Sequence, residues 1–86
     1  MQFTLKATSV AVLTTMQVNV SLMTWAGSGS ASDSLVVVDN TGKDVWRSTA
    51  QGANYDLSLS FGERPVNVNG INVTTITSGT LTVYYR

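Results

Sequence analysis

The residues able to do chemistry in this sequence are few. Its carboxylates are Asp33, Asp39, Asp44, Asp56 and Glu63, its cations are Lys6, Lys43, Arg47, Arg64 and Arg86, and it has no histidine and no cysteine. Without those two residues the commonest general base and the strongest nucleophile are missing. Disulfides and the usual zinc or haem ligands are missing too. A carboxylate pair can in principle flank a glycosidic bond, but glycosidase sites need a larger scaffold and a cleft. The expectation is a protein that is not an enzyme and uses no cofactor. Residues 39–44, DNTGKD, look oxygen-rich, yet they lack the calcium-loop spacing and its distal glutamate. A turn explains them, because Asp and Asn tolerate left-handed geometry and Gly has no Cβ to clear.

A second kind of chemistry is contact. Trp25, Trp46, Tyr55, Tyr84 and Tyr85 have flat, amphipathic rings suited to stacking on sugars or to protein interfaces; the alternative for either Trp is a place in the core. Tyr84 and Tyr85 are neighbours on an extended segment, so one of the two points outward. With Phe3, Leu5 and Arg86 near the termini, the candidate interface residues are Phe3, Leu5, Trp25, Trp46, Tyr84 and Arg86.

The elements that must carry these residues are strands. Residues 65–86 hold two extended segments, 66–76 and 80–85, joined by Thr77-Ser78-Gly79 and expected to form a closing hairpin. There Ile71 and Val73 alternate with Asn72 and Thr74, and Leu81, Val83 and Tyr85 with Thr82 and Tyr84. Such a period of two marks half-buried strands. Met16, Val18, Val20 and Leu22 alternate in the same way with Gln17, Asn19 and Ser21, and Met23 and Trp25 make the far end of the wet face apolar. A parity change at Thr8-Ser9 predicts a bulge or bend between two short strands.

The run Leu35-Val36-Val37-Val38 reads as a strand covered on both faces, with a hairpin over residues 35–49. Tyr55, Leu57, Leu59 and Phe61 predict one more half-buried strand, and residues 62–65 interrupt it. Inward-facing candidates are Val18, Val20, Leu22, Val36, Val38, Leu57, Leu59, Ile71, Val73, Leu81 and Val83. Residues 26–34, AGSGSASDS, predict a flexible Gly/Ser loop in which nothing packs. The sequons at Asn19 and Asn72 fall in predicted strands, and about a quarter of the chain is Ser or Thr, so chance accounts for them. The result is an all-β fold, a small antiparallel β-sandwich or barrel of seven to eight short strands in a single domain over residues 1–86.

Eighty-six residues bury a modest core, and domains of this size often lean on a partner subunit. The charged fraction is 12% and the formal net charge zero. Scattered cations on a neutral surface do not favour nucleic acid or an anionic membrane. Low net charge removes the self-repulsion that keeps proteins apart. Residues 10–25 are interrupted by polar side chains and are read neither as a membrane span nor as a signal peptide. Met1 is taken as the true start of a protein made in a cytosol.

Three stretches carry a family resemblance: VVVDNTGKDVW at 36–46, PVNVNGI at 65–71 and VTTITSGTLTVYYR at 73–86. With them, residues 35–86 resemble the small all-β accessory proteins of tailed-bacteriophage virions, of capsid-decoration or head-fibre type. The first thirty-four residues lie outside the resemblance, and no family contact residue is carried over. The resemblance implies a structural virion protein on the outer capsid surface. Its partners would be the major capsid protein and copies of itself, with a trimer suited to local threefold sites, and it would be made in the host cytoplasm. The alternative is a carbohydrate- or receptor-binding β module on a virion or tail, with a glycan as partner and an exposed ring as platform.

Overall fold

A computed structural model describes residues 3–54, 56–61 and 65–86. Met1, Gln2, Tyr55, Gly62, Glu63 and Arg64 lie outside the described residues, and with them one candidate ring and one carboxylate. The chain is all-β. The described residues form seven strands: β1 Phe3–Ala7, β2 Ala11–Ala26, β3 Ser34–Val38, β4 Asp44–Thr49, β5 Leu57–Ser60, β6 Val66–Ile76 and β7 Thr80–Tyr85. All of them pair antiparallel in one sheet, in the order β1-β7-β2-β6-β3-β4, with β5 added on β2.

The 16-residue strand β2 organises everything else. Val20 faces Tyr85 of β7 on one side and Val66 of β6 on the other. Towards its C-terminal end, residues 22–25 lie between β7 and β5, with Met23 opposite Val83 and Leu59 and Trp25 opposite Leu81 and Leu57. Towards its N-terminal end, residues 11–19 pair with β6. β5 and β6 therefore follow one another along the same edge of β2, and the Phe61 N–H continues the ladder to the Ser21 carbonyl at 3.0 Å.

The register of β2 slips between Val20 and Leu22. An extra residue in a strand turns every later side chain to the opposite face. Val18 and Val20 point into the core before the slip, and Met23 and Trp25 do so after it, both with no exposed surface. Leu22, expected inside, is half-buried on the outer face opposite Tyr84. The apolar end of the wet face in the sequence is thus the core itself. Leu35, Val37, Ile71, Val73, Leu81 and Val83 complete the fully buried set, and Val36 and Val38 are nearly covered on the other face. Leu57 and Leu59 are half-buried against the same cluster.

Two other expectations change. Segments 66–76 and 80–85 are the strands β6 and β7, but they do not pair with each other, because β2 lies between them. Their three-residue link is a corner rather than a hairpin. The Thr77 N–H donates to the Ser34 carbonyl at 3.1 Å, and the Trp25 indole N–H donates to the Ser78 carbonyl at 2.8 Å. Gly79 is required there: its φ is +80°, and a Cβ would sit 2.6 Å from the Ala26 carbonyl oxygen. The Gly/Ser loop also packs. Ser28 is 1% exposed and its hydroxyl donates to the Gly52 carbonyl at 3.0 Å. The Gly29 N–H donates to the Ser78 hydroxyl at 2.7 Å, and the Ser32 N–H to the Ala50 carbonyl at 2.9 Å. The 35–49 hairpin is β3 and β4, with Leu35 opposite Ser48 and Val37 opposite Trp46.

Candidate functional site

Each described carboxylate has a hydrogen-bond or ion-pair partner within the chain. Asp33 accepts from the Ser78 hydroxyl, from the Ser30 N–H at 3.0 Å and from the Ser30 hydroxyl at 3.3 Å. The Ser78 bond above all holds its pKa below the ordinary value, with the Ser30 and Gly29 groups adding to it against a desolvation cost. Asp39 closes the 39–43 turn: one oxygen accepts from the Thr41 hydroxyl at 2.6 Å, the Thr41 N–H at 2.9 Å and the Lys43 N–H at 3.0 Å. Its pKa is also lowered, chiefly by the Thr41 hydroxyl. Asp44 pairs with Arg47 at 3.0 Å, both exposed, a bond that adds little stability in water. Asp56 caps the Gly27 N–H at 3.2 Å. Among the described residues no three Asp, Glu, His or Cys stand close enough to hold a metal.

The candidate interface residues separate into three places. Phe3, Leu5, Tyr84 and Arg86 lie together on β1 and the end of β7, with Phe3 opposite Tyr85 and Leu5 opposite Val83. The Phe3 and Tyr85 rings are 5.6 Å apart and tilted by 33°. Tyr84 takes the outer face, opposite Thr4 and Leu22. Trp46 stands at the far end of the sheet on β4, half-buried against the core. Trp25 is withdrawn from any surface role. Its ring is fully buried and its N–H is spent on Ser78.

The surface that stands out was missed by ring-counting. Beyond Val20, β7 extends along β2 only as far as the Arg86 N–H, which donates to the Asn19 carbonyl at 2.9 Å. Among the described residues no strand pairs with this edge of β2 over residues 11–18. The large apolar side chains standing most exposed are Val10 (63%), Val12 (59%) and Met16 (72%), all on this segment or next to it. From residue 7 to residue 32 the sequence has no charged side chain. The outer edges of β1, β4 and β5 are guarded. β1 carries Lys6, β4 carries Asp44 and Arg47, and β5 is only four residues long. Charge and shortness are two of the ways in which sheet edges avoid pairing with other chains.

The segment is held in place by Gly70 of β6. Its φ is +91°, and its missing Cβ leaves room for the Asn40 side chain, whose amide N–H reaches across to the Thr15 carbonyl at 2.8 Å. The register slips on either side of Thr14, between Val12 and Thr14 and between Thr14 and Gln17. The signal in the sequence was the long uncharged run from residue 7 to residue 32.

A cavity of about 260 Å³ opens between the 39–45 turn and the start of β6, lined by Asp39, Lys43, Asp44, Val45, Phe61 and residues 66–69. It combines an apolar wall from Phe61, Val45 and Val68 with polar groups from Asp44, Asn67 and Asn69. Compared with known protein families, curated proteins and solved structures, the chain matches none.

Proposed function

We propose that this chain is a non-enzymatic structural protein of a tailed-phage virion that binds the outer face of the shell and works through protein–protein contacts. The observation that carries the contact reading is the long, uncharged, apolar edge of β2, combined with carboxylates committed to turns and loops. An exposed edge offers unpaired backbone groups and alternate side chains to an added strand. The resemblance of residues 35–86 to virion accessory proteins supplies the setting. A contact present only in the assembled shell raises the cost of opening it, as any ligand of the closed state does. Particles carrying the protein are expected to survive heat or chelator better than particles lacking it, with many copies bound per particle. Equal resistance together with no particle binding overturns the proposal.

The second reading, a carbohydrate-binding module, draws on the cavity beside Phe61. An apolar wall flanked by a carboxylate and amides is the usual make-up of small polar-ligand sites. Glycan-array binding lost on Phe61→Ala would favour it over the shell.

A further inference from the structure

The cavity between the 39–45 turn and the start of β6 is built for a particular class of ligand. We propose that it takes one uncharged pyranose ring, the terminal sugar of a glycan, between Phe61 and the open edge of β6. The inference rests on the carbohydrate reading above and gives that reading its ligand; it does not depend on the shell.

The backbone supplies the first argument. β3 pairs with β6 only over residues 72–76. Over residues 66–69 the same side of β6 faces the turn, where the Asn40 N–H donates to the Asn69 carbonyl at 2.9 Å. Backbone groups two residues apart in a strand point the same way, so the Asn67 N–H and carbonyl also turn to this side. The ladder agrees. Asn19, opposite Asn67 on β2, directs its carbonyl away to the Arg86 N–H, so these two residues form a pair without mutual hydrogen bonds. A donor and an acceptor are thereby fixed in the cavity wall.

The side chains add to this. The Asn67 amide is engaged by Gln17 and Asn19, whereas the exposed Asn69 amide has no hydrogen-bond partner among the described residues. Asp39 holds its turn through Oδ1 alone and keeps Oδ2 as an acceptor. Sugar hydroxyls both donate and accept, and they suit such a mixed set. Phe61 packs on the core and also lines the cavity, an apolar surface for the C–H face of a ring. The volume of about 260 Å³ lies below the roughly 300–1,000 Å³ of sites for larger ligands, which suits one ring rather than a chain. Two carboxylates and a single ammonium line it, Asp39 and Asp44 against Lys43, and this balance disfavours sugar acids and phosphates.

The test is titration of isotope-labelled protein, followed by NMR, with the methyl glycosides of glucose, galactose, mannose and N-acetylglucosamine. At least one is expected to shift the amide signals of Asn67 and Asn69 together with those of residues 39–45. Sialic acid and glucuronic acid are expected to shift none of them. Asn69→Ala is expected to weaken binding by up to about tenfold, the loss of one hydrogen bond, and Phe61→Ala by more. Should Phe61→Ala fail to fold, Asn69→Ala and the map of shifts on wild type decide. Tyr84→Ala, on the outer face, is expected to bind as wild type does. No shift with any of the four glycosides, shifts confined to other residues, or tighter binding of the two acids overturns the inference. A glycan array separates the two ways of failing. Glycan binding that survives both cavity variants refutes this site and keeps a carbohydrate module, whereas an array with no binding removes both.

Discussion

The two halves of β2 are built from the same materials and meet different fates. Each mixes apolar with uncharged polar residues and neither carries a charge. Residues 22–25 have a strand on both sides, and Met23 and Trp25 are fully buried. Residues 11–18 have a strand on one side, and Met16 is 72% exposed. Burial of a strand is decided by what lies beside it as much as by its own residues. Two methionines seven positions apart make the contrast measurable. Met23→Ala is expected to cost about 2–5 kcal/mol, the usual range for removing a packed core side chain. A domain of this size has a total stability of roughly 4–13 kcal/mol, so that loss lowers the melting temperature by tens of degrees or abolishes folding. Met16→Ala is expected to stay within about 0.5 kcal/mol of wild type for the isolated protein. Chemical denaturation of the two variants at a concentration that excludes association checks both. Equal costs would mean that the two halves do not differ in burial.

The next contrast is between two glycines. Gly79 lies beside Trp25 at the covered end of β2, and Gly70 lies under Asn40 at the open end. Gly70→Ala brings a Cβ into the Asn40 amide and forces an alanine to φ +91°. Residues in such backbone regions are strained by about 1–3 kcal/mol, and here displacement of Asn40 also breaks its bond to Thr15. The variant is expected to lose stability on that scale. Adding Asn40→Ala removes the collision but not the strain, and recovers only part of the loss. Full recovery in the double variant would show that crowding alone, and not backbone conformation, fixes glycine at this position.

Reading the fold from sequence worked where one strand could be judged alone and failed where two had to be paired. Alternation located β6 and β7 and identified Ile71, Val73, Leu81 and Val83 as inward. It gave no warning that β2 would separate those two strands, because a three-residue link with a glycine suits a hairpin as well as a corner. The link is fixed by groups distant in sequence, the Ser34 carbonyl and the Trp25 indole. Leu22 was misplaced for a related reason. One slip in register reverses every inward assignment after it, and the slip becomes visible only once Tyr84 and Tyr85 are known to be the neighbours. The candidate edge was hidden more deeply. Val12 and Met16 look like core residues in a sequence, and only the pairing shows that, among the described residues, a strand lies on one side of their segment alone. The carboxylates gave a clearer signal, since Asp39 followed by Asn, Thr and Gly is turn chemistry and the structure uses it so.

Two aspartates clasp the opposite ends of β2, and pH separates them. Asp33 ties the 28–33 loop to Ser78, beside the carbonyl that receives the Trp25 indole. Asp39 ties the turn that aims Asn40 at Thr15. Hydrogen-bond donors lower both pKa values in the folded protein, the Ser78 hydroxyl foremost for Asp33 and the Thr41 hydroxyl foremost for Asp39. A carboxylate whose folded pKa is depressed adds stability that is fully present above its unfolded value, about 3.9. That stability is lost as the pH falls through the lower folded value, when the unfolded chain binds the extra proton. Stability is therefore expected to be level from neutral pH to about 5 and to drop below about 4. Asp33→Asn and Asp39→Asn should each be less stable than wild type at neutral pH and show a shallower acid decline. Their local signatures should differ. In Asp33→Asn, amide exchange quickens first at Ser30 and the Trp25 indole, whose partners lie at the covered end; in Asp39→Asn, it quickens at Thr41 and Lys43. The same acid slope in both variants and wild type would show that neither clasp draws its strength from an ionised carboxylate.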